Sequence, residues 1–173
     1  IRSFEGQKVT IPVQACLYIT LNGFKQNIHN IIIAEKNSEL NIITGCLTAN
    51  YVNSATHIGV TEIYVKENAK VTFTMIHNWG KEVTVRPRTA TLVKKNGSFV
   101  SNYICIKPVK DLQMSPACFL KGAGSIGIYN SFLYSYDGAN IDLGTNIFLR
   151  GKNAKSEITT RAVCNGGKIS VKA

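Results

Sequence analysis

The chain has 173 residues and weighs 19.0 kDa, enough for one domain or one continuous repeat array with a real core rather than two independently cored units. Hydrophobic residues make up 45% and charged residues 17%, which excludes a disordered chain and a charged helical bundle. The balance of 20 Lys and Arg against 10 Asp and Glu gives a net charge of +10 and a pI near 9.5. Nucleic-acid binding is not expected from it, because the densest basic stretch (Lys81, Arg86, Arg88, Lys94, Lys95) has no interleaved aromatics and no helix to enter a groove. With 20 Ile, 13 Val and 14 Thr against only 10 Leu, the side chains favour a pleated surface over a helix.

The predicted strands follow in chain order. The run 31–34 is short and apolar, 58–65 alternates, and 71–75 sets Val71, Phe73 and Met75 on one face with Thr72 and Thr74 on the other. Runs 100–106, 125–135 and 157–163 continue the series, and none shows helical periodicity over 12 residues. The longest apolar run is too short for a membrane span, so a soluble protein with no membrane partner is expected.

Between strands a turn of Asn or Gly plus a small residue recurs, beginning at Asn37, Asn68, Asn96, Gly122, Gly138 and Asn153. Counted from the second residue of each (38, 69, 97, 123, 139, 154), the steps are 31, 28, 26, 16 and 15. Asn and Gly accept positive φ cheaply, so each turn suits a corner between stacked strands. The near-halving predicts a solenoid whose coil is about half the longer step. Asn-Gly hairpin signals, at Asn22-Gly23, Asn96-Gly97 and Asn165-Gly166, are too few for an antiparallel sandwich. The expected fold is therefore all-β, a parallel β-helix, with residues 1–173 forming a single β-helix core domain.

Specific strings then carry a resemblance. Ile31-Ile32-Ile33-Ala34-Glu35, Gly45-Cys46, Thr61-Glu62-Ile63-Tyr64-Val65, the distinctive Ile76-His77-Asn78-Trp79, Ser115-Pro116-Ala117-Cys118-Phe119-Leu120-Lys121-Gly122 and Asp142-Leu143-Gly144-Thr145 occur in this order. Together they resemble the SufB and SufD (SufBD core) scaffold proteins of iron-sulfur cluster assembly. The resemblance implies a right-handed parallel β-helix, a homodimer or a SufB-SufD-type heterodimer, and a SufC-like ABC ATPase partner docked through a helical segment that follows the β-helix. On this reading the chain is a fragment that lacks that segment and the stretch where relatives build the nascent cluster, and a transient Fe-S cluster belongs to the full-length protein. Departures from the family pattern are Leu149, where relatives often carry His, and Asn140, where many carry Gln or His.

The family string places Cys118, and second Cys46, as the thiols expected to accept sulfur or ligate iron, since thiolates bind both. A buried thiol acts equally well as a small hydrophobe. Cys16, Cys46 and Cys105 fall near multiples of the early step, so they could share one column; Cys164 matches no family position. His29, His57 and His77 are far apart in sequence. Trp79 reads as a packing or corner element and Asn78 as a corner hydrogen-bonder. Only three Asp and seven Glu are present, with no acid-base pair and no phosphate loop, so no catalytic residues and no enzymatic activity are expected. Five cysteines, odd in number and scattered, fit a reducing, cytoplasmic location. The alternatives are a structural β-helix paralogue without cluster chemistry and a carbohydrate-active β-helix protein, the latter disfavoured by the shortage of acids.

Overall fold

A computed structural model describes residues 1–173 as a parallel β-helix of about six coils with no helical segment. No helix is long and apolar enough to cross a membrane. Each coil contributes a strand to each of two sheets, and every strand pairing is parallel. The first sheet stacks β1 (Val13–Ile19), β3 (Glu39–Thr48), β5 (Lys70–Asn78), β7 (Ser98–Cys105), β10 (Ile126–Ser135) and β13 (Lys155–Cys164) in that order.

The second sheet begins with β2 (Phe24–Ala34), β4 (Ala55–Val65) and β6 (Val83–Val93). Its next two layers are broken. The short strands β8 (Asp111–Met114) and β9 (Ala117–Leu120) flank Ser115-Pro116, and β11 (Asn140–Gly144) and β12 (Asn146–Leu149) flank Thr145. Strand β14 (Lys168–Lys172) pairs with β11. Pro116 has no N–H to give the ladder, which accounts for the first break.

The coil is the longer step, not half of it. Backbone N–H groups of Gly6, Asn37, Asn68, Asn96 and Gly124 each donate to the carbonyl just ahead of the equivalent residue one coil on, which places Gly6, Asn37, Asn68, Asn96, Gly124 and Asn153 at one corner with spacings of 31, 31, 28, 28 and 29. The turn at Gly138 belongs to the opposite corner, joining β10 to β11, so the late steps of 16 and 15 are half-coils. The expectation of a half-length coil fails because turn chemistry alone does not say which of two corners a turn occupies.

At the first corner Asn37, Asn68, Asn96 and Asn153 have φ between +52° and +58°. Asn tolerates this left-handed conformation better than other side chains. Their amides also form a ladder: Asn68 Nδ2 donates to Asn37 Oδ1 at 3.0 Å and Asn96 Nδ2 to Asn68 Oδ1 at 3.1 Å. Asn68→Ala removes two ladder bonds and puts a Cβ-bearing residue with no compensating amide at positive φ, and should cost about 2 kcal/mol in urea unfolding. Asn68→Gly relieves the backbone and should cost less; equal costs would mean the ladder alone matters.

Period-two alternation fills the interior. One apolar cluster lies near the asparagine corner, with Ile32, Leu40, Ile63, Val71, Phe99 and Leu120 among its members. Another lies towards the opposite corner, around Trp79, Val85, Tyr103, Leu112 and Ile141. Met75 packs against both, and the hydroxyls of buried Thr44, Thr61 and Ser131 also face the interior.

Candidate functional site

The most polar part of the interior is built by register. On the first sheet Cys46 of β3, His77 of β5 and Cys105 of β7 are direct ladder partners, so their side chains stack in one inward column. Across the interior, His57 of β4 lies in the column that continues as Val85 and Leu112. The rings meet at the centre: His57 is 4.9 Å from Trp79 and 6.3 Å from His77, His77 is 5.2 Å from Trp79, and Tyr103 stands edge-on to His77 at 5.0 Å. Gly59 gives the His57 ring its room, since a Cβ there would stand 3.0 Å from Nε2.

Hydrogen bonds fix both imidazoles. The Tyr103 hydroxyl and His77 Nδ1 are 2.8 Å apart, and His57 Nδ1 donates to Gln26 Oε1 at 2.8 Å. His77 Nε2 and Trp79 Nε1 are buried with no protein partner. Burial pulls His57 down to about 4, and burial with the neighbouring His57 pulls His77 down to about 3, so both rings are neutral at neutral pH.

The thiols are pushed the other way. Burial, reinforced by Cys16, raises Cys46 to about 12, and burial raises Cys105 to about 11 against an opposing hydrogen bond from Tyr103. Cys118 lies in the other apolar cluster, beside Tyr129, and burial raises it to about 11. All three stay protonated at neutral pH, and a thiol is a far weaker nucleophile and ligand than a thiolate. No three His, Cys, Asp or Glu side chains converge closely enough to hold a metal ion.

Of the two thiols singled out from sequence, the structure buries both and keeps them apart. Cys46 is brought together instead with Cys105, His57 and His77. The column expected for Cys16, Cys46 and Cys105 forms only in part: Cys16 pairs with Gly45, one position out of phase, and is exposed. His29 stays outside, 2.8 Å from Glu62. Trp79 is a packing element, whereas Asn78 ends β5 exposed, and the asparagine ladder of Asn37, Asn68 and Asn96 lies at the other corner. Sequence reading missed the cluster as a unit. The signal was present, since 46, 77 and 105 are separated by 31 and 28, one true coil each.

The basic stretch of β6 does not form one patch. Arg86 is bound to Asp111, Arg88 donates to Gln113 Oε1 at 2.9 Å, and Lys95 pairs with Glu67 at 3.6 Å.

Residues 18–171 match the family described as SUF system FeS cluster assembly, SufBD core domain. Curated relatives agree. The chain is 47% identical over 169 residues to an iron-sulfur cluster assembly SufBD family protein of Archaeoglobus fulgidus, covering 98% of this chain and 45% of that protein. It is 45% identical over 163 residues to one of Methanothermobacter thermautotrophicus, covering 94% and 40%. A Pyrococcus horikoshii member is 31% identical over 159 residues, covering 92% and 35%. The chain thus spans less than half the length of these relatives.

Proposed function

The chain belongs to the SufBD family of iron-sulfur cluster assembly, and from that premise we propose that it is the β-helical core of a scaffold-type subunit acting with a SufC-like ABC ATPase. The single observation that carries the reading is the interior column Cys46, His77 and Cys105 with His57 opposite, within a fold of that family. Sulfur and imidazole nitrogen are the donors that iron and iron-sulfur clusters take. The cluster is cargo in this reading, and the β-helix is the rigid frame that carries the donors.

In the closed helix the donors are stored in inactive form. A thiol raised to about 12 at Cys46 or about 11 at Cys118 engages iron only after its proton leaves, which requires water or a base to reach it. On this reading the protein is not an enzyme in its own right, and loading falls to its partners, the ATPase and a second SufB- or SufD-type subunit, in the cytoplasm. All five cysteines are free, as a reducing compartment allows. A purely structural β-helix is the second reading, favoured by the same raised thiols.

Anaerobic reconstitution of the full-length protein with ferrous iron, sulfide and reductant separates the two. Thiolate-to-iron absorbance should develop and should fall in Cys46→Ser or Cys105→Ser, with melting curves showing that each variant remains folded. Absorbance that ignores both substitutions would leave these thiols architectural and favour the structural reading.

A further inference from the structure

Four successive coils end their second-sheet strand with the same pattern: a large apolar residue, an aliphatic one and a cation. The strings are Tyr64-Val65-Lys66, Leu92-Val93-Lys94, Phe119-Leu120-Lys121 and Phe148-Leu149-Arg150. Tyr64, Leu92, Phe119 and Phe148 are ladder partners in one outward column. Val65, Val93 and Leu120 point inward and are fully buried, while Leu149 on the last coil is 51% exposed. The cations continue the register, since the N–H groups of Lys94, Lys121 and Arg150 donate to the carbonyls of Val65, Val93 and Leu120.

Core packing accounts for Val65, Val93 and Leu120, whereas Leu149 on the last coil is itself exposed, and it does not account for the outer two residues of each string. Phe148 is 41% exposed, and an outward strand position has no need of a phenylalanine. Lys66, Lys94, Lys121 and Arg150 take part in none of the ion pairs of the molecule. On the inner flank of the apolar column lie small residues, Ala90 and Ala117, which leave a groove of about 240 Å³ lined by Tyr64, Leu92, Ala90, Phe119 and Lys121.

We propose that this face docks an acidic amphipathic helix of a partner protein, with its apolar stripe on Tyr64, Leu92, Phe119 and Phe148 and its carboxylates on Lys66, Lys94, Lys121 and Arg150. The repeat lengths match: strands lie ~4.8 Å apart and a helix rises ~5.4 Å per turn, so each coil meets one helical turn. Three such intervals span ~14 Å, about ten helical residues. Charge complementarity identifies the occupant, because a column of four uncompensated cations on a chain of net charge +10 favours carboxylates. Glu62 stands at the Tyr64 end of the groove, which favours the positive N-terminal end of the helix there. Single-stranded nucleic acid fits less well. Phe119 and Phe148 are stacked on each other at 4.8 Å with an interplanar angle of 8°, so each covers a face that a base would need.

The test uses the full-length protein and a fluorescently labelled synthetic helical peptide with leucines one turn apart and glutamates beside them. Its partner probe carries lysine in place of glutamate. Anisotropy should show saturable binding of the acidic peptide. Lys121→Glu with Arg150→Glu should weaken it by about tenfold or more and transfer preference to the basic peptide, while Phe119→Ser with Phe148→Ser should weaken it by a similar factor without changing preference. All four positions face outward, and thermal melts check that the variants fold. The proposal is overturned by absence of saturable binding, by affinity that follows charge but ignores both phenylalanines, or by tighter binding of oligothymidine or phosphatidylserine vesicles at these residues. Hydrogen exchange showing these strand ends already covered by the protein's own chain would also overturn it.

Discussion

Gly122→Ala should destabilise the β-helix by about 3 kcal/mol or more, among the largest effects expected of any single methyl group in the chain. A Cβ at Gly122 would lie 1.9 Å from the Lys95 nitrogen and 2.1 Å from the Lys94 carbonyl carbon. These are backbone atoms of the coil before it, so no side chain can swing aside. Gly151 repeats the arrangement one coil on, with its Cβ position 1.9 Å from the Gly122 oxygen. At this coil the approach requires glycine, because Leu120 and Lys121 bring the chain in tight against Val93: both Lys121 and Gly122 donate their N–H to the Val93 carbonyl.

Gly138 is the control. It has φ +77°, but nothing lies within 4 Å of its Cβ position, so Gly138→Ala meets only the left-handed backbone penalty of about 1 kcal/mol. Urea unfolding followed by far-UV circular dichroism should separate the two by about 2 kcal/mol or more. Equal costs would show that the corner can spread, and the close stacking at Gly122 would lose its structural meaning.

The second large effect is acid lability. His57 and His77 titrate near 6.5 when unfolded but at about 4 and about 3 when folded. Because the folded values are lowered, the unfolded chain binds more protons as pH falls below 6.5, and stability drops through that window down to the folded values. By pH 5 each imidazole should have cost about 2 kcal/mol relative to pH 8. The physical cause is the same at both rings: an apolar interior around Trp79 and Tyr103 offers a charged imidazolium no carboxylate and little water.

Trp79, the only tryptophan, packs on both rings and makes a direct reporter of the transition. Denaturation midpoints followed by its emission should fall steeply between pH 7 and pH 5. His57→Gln and His77→Gln should each flatten part of that slope even if they lower stability at pH 8. A wild-type profile that stays level over this range would mean that the rings are hydrated in solution, and the inert, closed interior argued above would have to be given up.

What is legible in the sequence follows from where the information lies in the chain. Alternation such as Val71-Thr72-Phe73-Thr74-Met75 is local, and the excess of Ile, Val and Thr over Leu is a property of composition, so strands and an all-β interior were legible. Asn37, Asn68, Asn96 and Asn153 announced corners because positive φ selects their side chain. The family strings around Ile76-His77-Asn78-Trp79 and Ser115 to Gly122 carried the membership that the wider comparison shows. Lumenal placement of Cys46 and Cys118 was within reach as well, since each sits at an inward phase of its own strand.

Long-range register was not legible. Whether Cys46 meets His77 and Cys105, whether His57 faces them, and whether Tyr64, Leu92, Phe119 and Phe148 form one column all depend on the number of residues per coil. Two corners with the same turn chemistry made that number ambiguous by a factor of about two. By itself the sequence determined the strands, their faces, the turn residues and the family. Only the tertiary structure decided which coil lies on which, because ladder partners 27 to 31 residues apart are chosen by the closure of the whole coil, to which each local turn contributes only one corner.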